Sequence, residues 1–384
     1  MKKILFVNDF ADIGGAEKAL IELVGGLDSS QFQSSVLLFE EGVLRRVLLE
    51  RGIDVLQVFF PKEFLRLPIE SKAMDAVKII RLAFRVCLKT LGVAVLIRKR
   101  RCDLIVTNSL KALLVTWIAL KVTPGRYRHF HYLHYILPEK KSIGTRCAAF
   151  LISRVDCLVC NSEATLEKAR FHAVIIGKTA VIRQGFNRTT PLRQPTRDGD
   201  WVIGSAGRLN PIKNFEFIVD AVSLLKSKYP RLRLHIAGEP LTDIDHLYAL
   251  KLKEYIVAIG MGDVVTFKGF AGNIWSFMDS LHVFMLCSHM EGFGRVIAEA
   301  MWSGKVVVAS NVGAIPEIIN SGVTGYTVDI RNPQMAADLL ERLITYPEEA
   351  VAVGLKARAY AEDNLSYASY VTQWQSCLLG NATS

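Results

Sequence analysis

The chain has 384 residues, 51% of them apolar and 22% charged, a balance that fits a globular protein and excludes a disordered or collagen-like one. At roughly 100–200 residues per domain the length predicts two or three domains. The net charge of +10 is uneven, because residues 1–192 hold 30 Lys and Arg against 17 Asp and Glu while residues 193–384 hold 17 against 20; no binding motif accompanies the basic half, so nucleic acid is not an expected partner.

Leu110–Val122 is the nearest approach to a membrane span, but Lys111 and Lys121 break it well short of the ~18 apolar residues that a span requires. Met1–Val7 imitates a signal peptide until Asn8, Asp9 and Asp12 cut its apolar region short, which predicts a cytoplasmic protein. An odd count of seven cysteines points to free thiols in a reducing compartment. Cys157 and Cys160 fall on opposite faces of one strand, with no second pair to complete a zinc site. The sequons at Asn187, Asn364 and Asn381 carry no meaning in such a compartment.

Lys3–Asn8 reads as a buried strand that leads through Asp12-Ile13-Gly14-Gly15-Ala16-Glu17 into a helix over Lys18–Leu27. Rossmann proteins open in a similar way, but Gly-x-Gly-x-x-Gly is absent and no dinucleotide is expected. Ser35–Phe39, Asp54–Val58 and Asp103–Thr107 read as further short strands, and residues 59–72, with Pro61 and Pro68, as a loop. Lys78, Arg81, Arg85 and Lys89 then recur within ~80° of helical arc among Ile79, Ile80, Leu82, Phe84, Val86 and Leu88, and Arg98-Lys99-Arg100-Arg101 follows. Such a helix either adsorbs to an anionic membrane surface or packs ordinarily behind a solvated basic face.

Arg128–Leu133 is a strand ending at His134-Tyr135. His129 and His131 share one face of it while His134 lies past its end, so the three are not expected to hold a metal. Asp156–Cys160 leads to a helix cap at Asn161-Ser162-Glu163, and Lys178–Arg183 leads to Gln184-Gly185-Phe186-Asn187. Residues 188–200, rich in Thr, Pro and charge, read as a linker. A second αβ domain begins at Trp201–Ala206 and turns at residues 207–214, where Arg208 and Lys213 at a strand's C-terminal end suit a diphosphate. Arg231–Ala237 with Gly238-Glu239-Pro240, and Val264–Lys268 with Gly269-Phe270, are the next strand ends. Asp198-Gly199-Asp200 and Asp243-Ile244-Asp245 have the form of a metal-binding Asp-x-Asp, but both are expected in polar loops away from these turns.

Residues 288–325 are the densest in signal. His282–Cys287 and Lys305–Ala309 are strand-length apolar runs, so Arg295–Ser303 reads as the helix between them. Gly292-Phe293-Gly294 is then a strand-to-helix turn, whose unpaired N–H groups make an anion seat. Glu299 sits in a helix that is apolar nearly all round, so its carboxylate either takes donors from sugar hydroxyls, salt-bridges a neighbour or snorkels to solvent.

Glu291 and Glu299 eight residues apart around Gly-Phe-Gly, then Gly304, Gly313-Ala314-Ile315-Pro316-Glu317 and Gly322–Gly325, closely resemble the donor segment of the family 4 retaining glycosyltransferases of the GT-B fold. The resemblance implies an α/β fold of two Rossmann-like domains facing across a cleft: residues 1–190 on the acceptor side, residues 191–365 binding the nucleotide-sugar, and a helix over 366–384 crossing back. It implies that Glu291 faces the donor sugar, Glu299 holds the ribose, and Gly292, Phe293, Gly294, Arg295 and Val296 meet the diphosphate together with Gly14, Gly15, Arg208 and Lys213. Gly238, Gly269 and Phe270 would flank the base. His134 would lie near the donor sugar, although Tyr135 stands where the family commonly has Asp. The expected reaction moves a sugar from a nucleotide-sugar, as co-substrate and with no further cofactor or metal required, to a glycan or lipid-linked acceptor in cell-surface polysaccharide or glycolipid synthesis. An epimerase or sugar-phosphate synthase on the same fold, and a non-catalytic nucleotide-sugar-binding protein, are the alternatives. The expected location is cytoplasmic, peripheral on the inner membrane face through the basic first domain.

Overall fold

The computed structural model describes all residues except 67–75, 141, 194–198, 271 and 382–384, and describes 76, 77 and 79 by backbone only. The chain forms two compact units, Met1–Gln184 with Tyr370–Ser384, and Gly185–Ser369.

The first unit is built on seven parallel strands: β1 (Lys2–Asn8), β2 (Phe32–Leu38), β3 (Asp54–Gln57), β4 (Leu104–Thr107), β5 (Arg128–Leu133), β6 (Cys157–Cys160) and β7 (Lys178–Val181). The second holds six: β8 (Trp201–Ala206), β9 (Leu232–Ala237), β10 (Val265–Gly269), β11 (Val283–Leu286), β12 (Val306–Ser310) and β13 (Tyr326–Val328). Parallel strands covered on both faces by crossover helices read as unbroken apolar runs, and VFML of β11 and VVVAS of β12 are buried throughout. The orders are β3-β2-β1-β4-β5-β6-β7 and β10-β9-β8-β11-β12-β13. Each order reverses direction once, between β1 and β4 and between β8 and β11. In open α/β sheets the crevice past the strand ends at such a reversal is where ligands bind.

The end of the chain completes the first unit. Trp374 is fully buried with its ring 4.9 Å from that of Tyr132, Tyr370 donates to Ala19 O at 3.2 Å, and Arg128 donates to Leu378 O at 3.1 Å. Cys157 faces Cys377, Sγ to Sγ 3.8 Å, while Cys160 points into a cluster with Leu133 and Leu158. His129 and His131 turn to one side of β5 and both reach Thr107 Oγ1, at 3.2 and 3.0 Å. Burial holds the two imidazoles neutral, with pKa values down at about 3 and about 4.

Three expectations are revised. Asp243-Ile244-Asp245 is not a loop away from the diphosphate turn: it is the first turn of the helix Asp243–Ala258, where Thr242 and Asp245 form a capping box and Asp245 lies 3.5 Å from Arg208. Lys62–Leu65 is helical within the expected loop 59–72, whose remainder from 67 lies outside the described residues, as does Asp198. The basic helix, Ala76–Arg100, has three sectors rather than two. Thr90, Val93, Ala94 and Ile97 are buried, and Lys78, Arg81, Arg85 and Lys89 line one exposed side. Beside them Ile80, Phe84, Leu88, Leu91 and Val95, each 51–68% exposed, fall within ~80° of arc. Among the described residues no helix is long and apolar enough to cross a membrane.

Candidate functional site

In the second unit the site is assembled at the reversal between β8 and β11. The chain leaves β8 through Gly207, at φ 154°, and Asn210 caps the short turn Pro211–Lys213 by accepting from Lys213 N at 3.2 Å. Gly207 N donates to Ala237 O at 2.9 Å and Gly238 N to Gly269 O at 2.7 Å, so three neighbouring strand ends are stitched together. A side chain at Gly238 would place Cβ 1.8 Å from Gly207 O, so glycine is demanded there by backbone packing, whatever it flanks. Phe270 is exposed at the rim, and its N–H donates to Glu239 Oε1 at 3.2 Å.

Lys213 crosses the reversal. Its Nζ donates to Glu291 Oε2 at 2.7 Å, Ser288 Oγ donates to the same oxygen at 3.3 Å, and both charged side chains are mostly buried. The Glu291 backbone is pinned as well, since its carbonyl accepts from Ala314 N at 3.0 Å. Gly294, at φ 84°, turns the chain into the helix Arg295–Trp302, whose first N–H groups have no intrahelical acceptor. Glu299 is 2% exposed, and Arg295 Nε stands 3.2 Å from its Oε1. The neighbour one turn away therefore sets a positive charge beside the buried carboxylate. The Arg295 guanidinium also lies over Phe186, 4.6 Å from the ring centroid, and Phe186 stacks on Phe293.

Arg208, Lys213 and Arg295 thus each face a carboxylate: Asp245, Glu291 and Glu299. Asp245 and Phe186 are the members that sequence reasoning missed. The cap signal Thr242-x-x-Asp245 was readable in the sequence, but its contact with Arg208 depends on the packing of β8 and β9.

In the first unit the sequence-predicted residues gather at the reversal between β1 and β4. Gly14 N donates to Glu17 Oε2 at 3.0 Å at the start of the helix Gly15–Gly26. His134 Nε2 lies 2.6 Å from Asn108 Oδ1, its Nδ1 lies 3.5 Å from Gln184 Nε2, and its carbonyl accepts from Asn161 Nδ2 at 2.9 Å. The Tyr132 ring packs against the imidazole, centroids 3.8 Å apart. Tyr135, in place of the family's Asp, buries a hydroxyl. Burial and then the nearby Asp9 charge hold that hydroxyl in its protonated form.

Burial lifts the Glu17 carboxyl from 4.5 to about 7. Between those values the folded state binds more protons than the unfolded state, so this group lowers stability as pH rises through the window. His129 and His131 act oppositely, because their depressed values make the unfolded state the better proton binder below 6.5. Comparison with Glu17→Gln isolates the carboxylate: the mutant should gain on the wild type by up to roughly 3 kcal/mol between pH 4.5 and 7 in denaturant titrations. A difference independent of pH would show that Glu17 is not held in its protonated form by burial.

Residues 188–360 match the family model described as glycosyl transferases group 1. A D-inositol 3-phosphate glycosyltransferase of Paenarthrobacter aurescens is 30% identical over 184 residues, 47% of this chain and 45% of that protein. A lipopolysaccharide core biosynthesis mannosyltransferase, LpcC, of Rhizobium leguminosarum bv. viciae is 30% identical over 169 residues, 44% of this chain and 47% of that one. The chain spans about half the length of the curated relatives it matches. Over nearly the whole length, the crystal structure of Anabaena HepE in complex with UDP and glucose superposes with a TM-score of 0.83 at 25% identity, covering 99% of this chain and 100% of that one. Two parallel sheets flanked by helices, with such neighbours, are the GT-B architecture.

Proposed function

We propose that this chain is a retaining glycosyltransferase that moves a sugar from a nucleotide-sugar donor to a glycan or lipid-linked acceptor in cell-surface polysaccharide or glycolipid synthesis. The observation that carries the reading is the Lys213–Glu291 pair at the β8–β11 reversal, with the Arg295–Glu299 pair on the following helix. The donor's diphosphate would draw Lys213 and Arg208 from their carboxylates and settle at the N-terminus of the helix Arg295–Trp302. Two cations and a helix dipole would then meet the charge of the departing diphosphate, which asks for no metal. Glu291 would face the sugar ring as positive charge develops at the anomeric carbon. Glu299, held by Arg295, would accept from the ribose hydroxyls, and Gly238, Gly269 and Phe270 would flank the base. From the first unit, Gly14 and Gly15 would approach the diphosphate and His134 the sugar. The HepE complex makes UDP-sugars the first donors to try, and the mannosyltransferase relative supports a polysaccharide or glycolipid acceptor. The test is release of nucleoside diphosphate from UDP-, GDP- and ADP-sugars with and without saccharide and lipid-linked acceptors. Transfer with the donor's anomeric configuration kept is the expected result; no release from any donor, or an inverted product, would contradict it.

The helix Ala76–Arg100 supports a peripheral seat on the cytoplasmic membrane face. Its exposed apolar stripe, Ile80 to Val95, is about 22 Å long at 1.5 Å per residue, and the four basic residues run alongside it. Apolar area would enter the headgroup boundary while each cation adds ~1 kcal/mol of attraction to anionic lipid. Among the described residues Glu63 is paired with one of them, 3.6 Å from Arg85 in an exposed pair. The protein should therefore co-sediment with vesicles containing phosphatidylserine at low salt and be released as salt screens the charge. Arg81→Glu with Arg85→Glu should abolish sedimentation. Equal sedimentation of mutant and wild type would leave the stripe as a packing feature.

A further inference from the structure

The protonation of the His134 ring follows from a chain of hydrogen bonds that begins at a backbone carbonyl. A carbonyl oxygen only accepts, so the amide atom of Asn8 that lies 2.7 Å from Phe10 O is Nδ2. Asn8 Oδ1 is thereby left to accept from Asn108 Nδ2 at 2.9 Å, across the reversal between β1 and β4. With its Nδ2 spent in that direction, Asn108 turns Oδ1 toward His134, 2.6 Å from Nε2. An amide oxygen at that distance requires a proton on Nε2. On the other side of the ring Gln184 Nε2 faces Nδ1 at 3.5 Å, a donor position that leaves Nδ1 its lone pair. The Asn161 bond to the His134 carbonyl and the Tyr132 ring against the imidazole restrain the ring's orientation.

We propose that Asn8 and Asn108 are positioning residues that hold His134 as its neutral Nε2–H tautomer, so that Nδ1 is the ring atom that accepts a hydrogen bond from a hydroxyl of the donor sugar. This rests on the reading of His134 as part of the donor-sugar site. The Gln184 contact at 3.5 Å is long and gives way easily to a hydroxyl; the Nε2 contact is short and internal. His134 then works as an acceptor with a fixed direction, and the amide pair does for it what a carboxylate or carbonyl does for a metal-bound or catalytic histidine.

The first readout needs no activity. Long-range nitrogen–proton correlation spectra of the full chain at pH 8, with His134 assigned by comparison with His134→Gln, should show a protonated Nε2 and an unprotonated Nδ1. A proton on Nδ1, on both nitrogens, or exchanging between them would overturn the inference. In Asn108→Ala the ring should pass into exchange between tautomers, and kcat should fall at least tenfold while the KM for donor stays within about twofold. Asn108→Asp keeps an oxygen acceptor at Nε2 and should restore the fixed tautomer, while its carboxylate moves the pH profile of kcat upward by favouring the charged ring. A fixed Nε2–H tautomer that persists in Asn108→Ala would overturn the positioning role. Exchange of tautomers with kcat unchanged would overturn the part given to His134, and donor binding at Lys213 would be untouched by either failure.

Discussion

Glu291→Gln should lower kcat by about 100- to 1000-fold, the ~3–4 kcal/mol by which a fixed charge stabilises a transition state more than a ground state, while the affinity for nucleoside diphosphate stays constant or rises. The second half follows from the geometry. Lys213 Nζ donates to Glu291 Oε2 at 2.7 Å, so the carboxylate competes with an incoming diphosphate for the same cation. Glutamine keeps the shape and an acceptor oxygen for Lys213 and Ser288 but removes the competing charge. Steady-state kinetics with calorimetric titration of the diphosphate separates the two effects. Affinity falling together with kcat would mean that Glu291 binds the nucleotide rather than facing the sugar, and an unchanged kcat would remove it from the chemistry.

Lys213→Ala should weaken nucleotide binding by about 1.5–3 kcal/mol, the usual loss for a hydrogen bond to a charged group, which is roughly 10- to 150-fold. It should also lower the melting temperature, because Glu291, with its side chain 14% exposed, loses its counter-ion. The double mutant Lys213→Ala, Glu291→Gln distinguishes the two consequences, since contacting residues do not add. Stability should return in the double mutant, whereas nucleotide affinity should not. Recovery of affinity would show that Lys213 serves only to neutralise Glu291.

Much of the second unit was legible in the chain. The run from β11 through Gly294 into the helix Arg295–Trp302 and on to β12 follows from two apolar runs and a glycine turn, and each edge falls within a residue or so of its expected place. The partner of Glu299 was legible too, because Arg295 is one turn away, but sequence alone left it in competition with a ligand's hydroxyls. Contacts made across the sheets were not legible. Asn8 and Asn108 are 100 residues apart and meet only because β1 and β4 are neighbours in the sheet order. Arg208 reaches Asp245 only because the ends of β8 and β9 are adjacent. The helix Ala76–Arg100 shows the same limit: its period identified a basic face, but packing decides which of its apolar residues are buried, and among the described residues five large ones remain outside.

Every step proposed for the second unit begins with a nucleoside diphosphate binding through Lys213. The direct measurement is the melting temperature of the wild type and of Lys213→Ala in the presence of UDP, GDP and ADP, since a ligand that binds only the folded state stabilises it by ~2.7 kcal/mol at a hundredfold excess over Kd. The prediction is a rise of several degrees for the wild type with one of the three, UDP first, and a much smaller rise for the mutant at the same concentration. No rise with any of them, or an equal rise in both proteins, would contradict it.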